Sequence, residues 1–466
     1  MDVLYDIVCT INSYLSNYVL IILLVGTGLF FTIRTKFVQV RCFGEGFKRM
    51  LGTVSLNGEK KHGSMSSFQA LTTAIAAQVG TGNIVGACGA IFIGGPGAIF
   101  WMWVIAFLGM ATNYAEAVLA QKTKIVDEDG EVHGGPVYYI RALFKGAGGK
   151  FLAGFFSVAI ILALGFMGCM VQSNSIASTM ETAFAIPAWV VGIVVVVVAG
   201  FIFIGGVQRI ASVTEKLVPV MAVIYLIGGI VVLVMNAPHV GEAFALIFQC
   251  AFNPDASIGG VTFGIIAALS QGAKRGLFSN EAGMGSTPHA HALADVKDPH
   301  DQGVVAIVAV FIDTFVVVSI TALVVISVLY TGDGALAQGA YEGIDKTNMA
   351  QLAFGQFFGS TFGNAFVAIC LLFFAFSTIV SWNLFAKINV EYLFGKKAVP
   401  AFSVIALVFI FLGSILSNDL VWELADLFNQ LMVLPNAIAL IGLSGLVAGC
   451  ANAHTRKTRK LEAKDE

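Results

Sequence analysis

Eleven apolar runs, each near the ~20 residues a helix needs to cross a bilayer, govern what this chain can fold into. They lie at 18–33, 66–93, 97–120, 151–180, 188–205, 212–235, 260–287, 302–330, 361–386, 398–416 and 422–449, and are called segments one to eleven below. Only 12% of the 466 residues are charged. A water-facing surface needs far more than this, which excludes a soluble enzyme. With 57% hydrophobic residues and 38 Phe, disorder is excluded too. Strand-type alternation is absent, which argues against a β-barrel. The expected class is an all-α integral membrane protein. The seven cysteines stand singly with no CxxC pair, so they are expected as small packing residues rather than as disulfides or zinc ligands. Asp2 and Asp6 open the chain where a signal peptide carries positive charge, so the first run is expected to be a retained helix.

Lysine and arginine set the expected orientation, because cytoplasmic loops collect them. The loop at 34–65 carries Arg34, Lys36, Arg41, Lys48, Arg49, Lys60 and Lys61. Every second connection after it is basic: Lys122 to Lys150, Arg209 with Lys216, Lys297, Lys387 with Lys396 and Lys397, and the tail from Arg456 to Lys464. The alternate loops are nearly bare, with no Lys or Arg at 236–259 and only Lys346 at 331–360. The pattern places the N-terminus outside and the C-terminus in the cytoplasm of a multi-pass protein of the inner or plasma membrane. Trp101, Trp103, Trp189 and Trp422 fall near the predicted outer ends, as an interfacial belt does; Trp382 does not.

Two segments resist a continuous helix. Segment two contains Gln78-Val79-Gly80-Thr81-Gly82-Asn83, and segment seven contains Ser270-Gln271-Gly272-Ala273-Lys274-Arg275-Gly276, with Gly283 and Gly285 beyond. Glycines alone could mark close helix packing. Gln, Thr and Asn in one cluster, and Lys-Arg at mid-span, point instead to unwound backbone lining a protected cavity. With segment one set aside, ten segments remain, five in 66–235 and five in 236–449, and the broken ones come first in each five. An odd number of spans per repeat gives the halves opposite topology, the inverted-repeat arrangement with a site at the midplane. The expected organisation is residues 1–65 as an extra helix and loop, 66–235 and 236–449 as the two repeats, and 450–466 as a cytoplasmic tail.

The runs Gln78 to Gly86, Gly94-Gly95-Pro96-Gly97 and Gly272 to Ser286 resemble the alanine/glycine:cation symporter family, and the resemblance covers essentially the whole chain. It implies a LeuT-type fold preceded by one extra helix. It also implies sodium-coupled, or sometimes proton-coupled, uptake of a small neutral amino acid such as alanine or glycine. Sodium is then a co-substrate, with no cofactor and no nucleic-acid partner. The chain shows no HExxH, Walker A or GxSxG pattern, so no enzymatic activity is expected.

The chemistry of a broken helix fits that cargo. One half ends in free carbonyls and the other begins with free amides at a positive dipole end. Carbonyls suit sodium and an ammonium group; the amides of Gly80, Thr81 and Gly82 suit a carboxylate. The stretch 76–83 holds no acid, which favours a substrate that brings its own carboxylate. By similarity to the LeuT-type pattern, the carbonyls of Ala76 and Val79 face the hydroxyls of Ser377, Thr378 and Ser381 on segment nine around a sodium ion, a hard cation that wants oxygen. Asn83 offers a second ion site. Gln78, Ser270, Gln271 and Gly272 are the expected substrate contacts, with Phe166, Met167 and Met170 closing the pocket and Trp382 limiting its size.

Lys274 and Arg275 are costly at this depth. They are expected to pair with Glu116, Glu281 or Asp313, as a clamp on the inner half of segment seven or along the inward path. Glu116 and Asp313 are also the groups a proton-coupled carrier could titrate. His289-Ala290-His291 lacks further ligands nearby and reads as a loop feature. The alternatives to a sodium-coupled carrier are a glutamine or proton-coupled relative of the same fold and, more remotely, an ion channel.

Overall fold

The computed structural model describes residues 2–52, 64–253, 256–416 and 419–453. Lys60, Lys61 and the basic tail from Arg456 to Lys464 lie outside these. Apolar runs become helices throughout. Among the described residues, eight helices are long and apolar enough to cross a membrane, or nine when a bent pair is taken as one span. Ala188–Ile204 is a shorter apolar helix. The chain is thus a multi-pass helical membrane protein. Segments three, four, eight and nine have 67% of their apolar stretch buried, whereas segments six and ten have 33% and 28%, so the former form the interior and the latter face lipid.

Segment one is longer than its apolar run, a helix over Val3–Arg34. Its polar positions explain the extension: Asn12 donates to the Glu423 carboxylate of segment eleven at 2.6 Å, and Ser16 bonds Gln430 at 3.1 Å. A short hairpin forms around Asp129-Gly130, pairing Ile125–Val126 with Val132–His133 across Gly130 at φ +80°. Other connections carry more structure than their sequence suggested, including helices at Ala237–Phe252 and Met349–Phe358.

Segment two breaks where expected. Ser66 opens it with a capping box: its hydroxyl accepts the Gln69 amide at 3.1 Å and its own amide donates to Gln69 Oε1 at 3.2 Å. The helix Ser67–Gln78 stops, and Gly82–Gly94 continues at a bend of 46°.

Segment seven corrects the expectation. Ser270 to Gly276 lie inside an unbroken helix, Ile265–Asn280. The chain unwinds later, from Glu281 (φ +57°) through Gly283 (+89°) and Gly285 (+85°), and Pro288 starts the short helix Pro288–Leu293. The two glycine sets do different jobs. A Cβ on Gly272 would stand 2.6 Å from Trp101 Cβ and 2.7 Å from Ala98 O, so Gly272 lets segment seven press on segment three. Gly283 and Gly285 instead supply a backbone conformation that side chains disfavour.

Wide π-helical turns occur at Gly82–Gly86, Ile161–Gly168 and Phe311–Val318 in segments two, four and eight. Such turns are frequent at functional sites. They lie beside Gln172, Asn83 and Asp313, which turn out to meet around the breaks.

Candidate functional site

The two breaks touch. Gln78 Nε2 donates to the carbonyl of Asn280 at 2.6 Å, and a Cβ on Gly82 would stand 3.1 Å from both Phe278 and the Ser279 backbone. The structure thus brings Gln78 and Gly82 of segment two against the end of the helix in segment seven.

Segment nine, one helix over Ser360–Phe394, faces the first break. The Thr378 hydroxyl lies 2.8 Å from Ala76 O, 3.4 Å from Val79 O and 3.1 Å from Phe374 O one turn back. Ser377 Oγ is 2.8 Å from Phe374 O and 3.5 Å from Ala76 O. Ala76, Val79, Ser377 and Thr378 therefore converge. Ser381 is buried a turn further on, and its hydroxyl has no hydrogen-bond partner among the described residues. Gly80 permits this contact, because a Cβ there would fall 2.3 Å from Thr378 Oγ1 and push the hydroxyl aside.

The free amides are not bare. Gly80 N donates to Asn83 Oδ1 at 2.9 Å, and Thr81 N donates to Gln172 Oε1 at 3.0 Å. Gln172, on segment four, is a residue that the sequence reading missed. It sits in the polar run Gln172-Ser173-Asn174-Ser175 within an apolar segment. That interruption was the available signal. Its Nε2, Thr81 Oγ1 and Gln78 Oε1 are buried with no partner among the described residues, three polar atoms suited to a polar ligand.

Asn83 turns its amide nitrogen to Asp313 Oδ1 at 2.6 Å. Ser279 reaches the same carboxylate at 2.9 Å and Thr314 at 2.8 Å. Asp313 thus joins both breaks from segment eight. Glu116 accepts the Gly283 amide at 3.2 Å and the Asn436 side chain at 2.6 Å, so it serves the unwound stretch of segment seven. Glu281 accepts from Trp382 Nε1 at 2.5 Å and from Ser286.

Several expected contacts fall elsewhere. Ser270, Gln271 and Gly272 lie about three turns before the break, at 3.6 residues per turn. Gln271 packs under Gly94 and Gly272 on segment three. Phe166 stacks on Phe409 (4.6 Å) and against Phe402 of segment ten, and the Met170 backbone abuts Gly413 there. The side of segment four bearing Phe166 packs on segment ten; Gln172 faces the breaks. Trp382 is buried as expected, edge-on to Phe278 with centroids 5.7 Å apart.

Lys274 and Arg275 do not pair with Glu116, Glu281 or Asp313. Lys274 Nζ is 2.8 Å from Asp426 and 3.4 Å from Glu423, and Arg275 is 3.2 Å from Asp426. These acids lie in the first turns of segment eleven, and the basic pair lies before the break in segment seven, not on its later half. The reason is that the helix begins at Ile265 and runs on to Asn280, so the pair falls in its third turn. Trp422 is correspondingly no belt residue. It is 3% exposed, with Phe278, Arg275 and Lys346 around its ring.

A family model described as "Sodium:alanine symporter family" matches residues 1–466. The chain belongs to the sodium:alanine symporter family. It is a transporter and not an enzyme. A sodium/alanine symporter, AgcS of Methanococcus maripaludis, is 39% identical over 462 residues, covering 99% of both chains. A probable sodium/glutamine symporter, GlnT of Bacillus subtilis, is 37% identical, covering 98% of this chain and 92% of its own. Among solved structures, MhsT in complex with L-phenylalanine superposes with a TM-score of 0.57 at 15% identity, over 84% of this chain and 100% of that one. The helical fold is therefore shared with MhsT, and the resemblance read from the segment-two and segment-seven motifs identifies the right family.

Proposed function

We propose that this chain carries a small neutral amino acid, alanine or glycine, together with sodium by alternating access through an eleven-span, inverted-repeat body with the N-terminus outside. The observation that carries the reading is the cluster of Ala76 O, Val79 O, Thr378 Oγ1 and Ser377 Oγ around the first break. Four neutral oxygens from a helix end and two hydroxyls are a hard-cation donor set. When sodium takes Ala76 O and Val79 O, the Thr378 proton turns to Phe374 O, already 3.1 Å away. Asn83 with the Asp313 carboxylate offers a second cation or proton position, which keeps proton coupling as the alternative mode.

The substrate's carboxylate competes with Asn83 and Gln172 for the amides of Gly80 and Thr81, and Gln172 Nε2 and Thr81 Oγ1 gain a partner when it binds. Trp382, held edge-on by Phe278 and backed by Gly168, leaves little room and favours a small side chain. Sodium and amino acid then stabilise the same closed arrangement, which is the condition for coupling. The similarity to a glutamine symporter makes glutamine the second candidate.

The test is uptake of labelled L-alanine into proteoliposomes with and without an inward sodium gradient, with unlabelled glycine, serine and glutamine as competitors. Sodium-driven accumulation lost in Thr378→Ala supports the reading. Accumulation driven by a proton gradient alone moves coupling to Asp313. No accumulation of any amino acid by folded protein rejects the carrier assignment for these substrates.

A further inference from the structure

Glu281 is where segment seven leaves its helix, at φ +57°. That conformation costs an L side chain about 1–2 kcal/mol, and helix ends normally give the position to glycine or asparagine. The chain uses glycine at 283 and 285 but not here. Burying a carboxylate adds a desolvation cost, and Glu281 is fully buried with no basic side chain paired to it among the described residues. A residue unfavourable in backbone and in burial is retained for what its side chain holds.

It holds Trp382. One carboxylate oxygen accepts the indole N–H at 2.5 Å, and the other accepts the Ser286 hydroxyl across the unwound stretch. The indole has one place to go: a Cβ on Gly168 would stand 2.5 Å from its Cζ3, and Phe278 meets it at 90°. Trp382 follows Thr378 by four residues on the unbroken helix Ser360–Phe394. A bond from the second break thus ends on a residue one helical turn, about 5.4 Å of rise along the axis, from the residue whose hydroxyl closes the first.

We infer that Glu281 is a positioning residue: through Trp382 it ties the unwound chain of segment seven to the ion-binding turn of segment nine. A cation at Thr378 and the bend at 281–286 therefore hold each other's geometry, although Glu281 touches neither ion nor substrate. This rests on the ion site proposed above.

The test uses the full-length protein in detergent: wild type, Trp382→Phe, Glu281→Ala, Glu281→Gln and the Glu281→Ala/Trp382→Phe double variant. Thermal midpoints are titrated with sodium chloride against choline chloride. Alanine KM and sodium half-saturation are then read in proteoliposomes. Trp382→Phe keeps an aromatic side chain but removes the indole N–H together with the fused five-membered ring; because it leaves the backbone at 281 untouched, it stays informative, beside Glu281→Gln, if Glu281→Ala folds poorly. Each single loss raises the sodium concentration needed by about tenfold, and the double variant goes no further, because coupled sites are non-additive. In Glu281→Ala, alanine KM at saturating sodium moves less than the sodium half-saturation, a split that plain loss of packing does not produce; Trp382→Phe, which also alters the pocket wall, is read through its sodium response. Glu281→Gln, which keeps an acceptor oxygen, retains most of the sodium response. A wild type that responds to sodium beside variants that respond within about twofold of it, or an additive double variant, overturns the coupling alone. A wild type whose midpoint and uptake both ignore sodium overturns the ion site and the coupling with it.

Discussion

At the proposed ion site Thr378 contributes its hydroxyl oxygen, 2.8 Å from Ala76 O. Thr378→Val keeps the volume and removes the oxygen; Thr378→Ser keeps the oxygen and removes a methyl. We expect Val to raise the sodium concentration for half-maximal uptake by about tenfold or more, a loss of ~1.4 kcal/mol, and Ser to stay close to wild type, read from uptake against sodium at fixed alanine. Equal effects of the two would mean that shape, not coordination, governs this position. Ser377 and Thr378 were set opposite the first break by the resemblance to the LeuT-type pattern and not by residue type, because hydroxyls on a buried helix also bond back to their own carbonyls, as both do here to Phe374 O. Asn83 was legible as polar but not as a partner of Asp313, since the π-helical turns that bring the two together leave no mark in residue types. Gln172 was passed over in favour of its apolar neighbours Phe166 and Met170, which turn to segment ten.

At the scale of elements, the instructive error concerns glycine. Segment seven carries Gly272, Gly276, Gly283 and Gly285, and spacing alone does not say which break a helix. Their neighbours do. Gly283→Ala and Gly285→Ala each force a side chain into positive φ, at about 1–2 kcal/mol. Gly285 also has Phe156 and Asn436 Cγ within about 3 Å of the added carbon. Gly276→Ala meets nothing closer than 3.7 Å and removes a helix-weakening glycine. Thermal midpoints in detergent should fall for the first two and hold or rise for the third. The hairpin at 125–133 gives a pH expectation outside the spans. Bonds from the His133 side chain and the Glu131 amide, with Lys396 nearby, lower Asp127 to about 2. A depressed carboxylate stabilises its contacts above the usual value near 4 and loses them as pH falls through its own. Contact between the hairpin and Lys396 should therefore persist from neutral pH down to about 4 and weaken only below that, as followed by spin-label distances between 128 and 397. Separation already at pH 6 would contradict it.

The whole molecule has a testable sidedness. The basic connections define the proposed inner face, and the loop holding Lys346 the outer one. In a background with its cysteines replaced, an impermeant maleimide should label Glu342→Cys on intact cells and reach Glu128→Cys only after permeabilisation; the reverse pattern inverts the topology. Family and fold class were legible across nearly the full chain, because bilayer-length apolar runs and two long motifs survive without any structure. The partners of Lys274 and Arg275 were not, because Asp426 is about 150 residues away in sequence and nothing local announces it.

Segment one also packs where the second break needs it: a Cβ on Gly283 would meet Leu24 at 3.3 Å, and Thr112 lies at 3.6 Å. The ribosome makes Leu24 some 260 residues before Gly283, on the order of 13–50 s at about 5–20 residues per second. When the unwound turn emerges, the helix it packs on has already been made. A chain made without segment one, and given that helix only later as a separate piece, would lose that head start and leave a newborn polar turn without the neighbour it packs on.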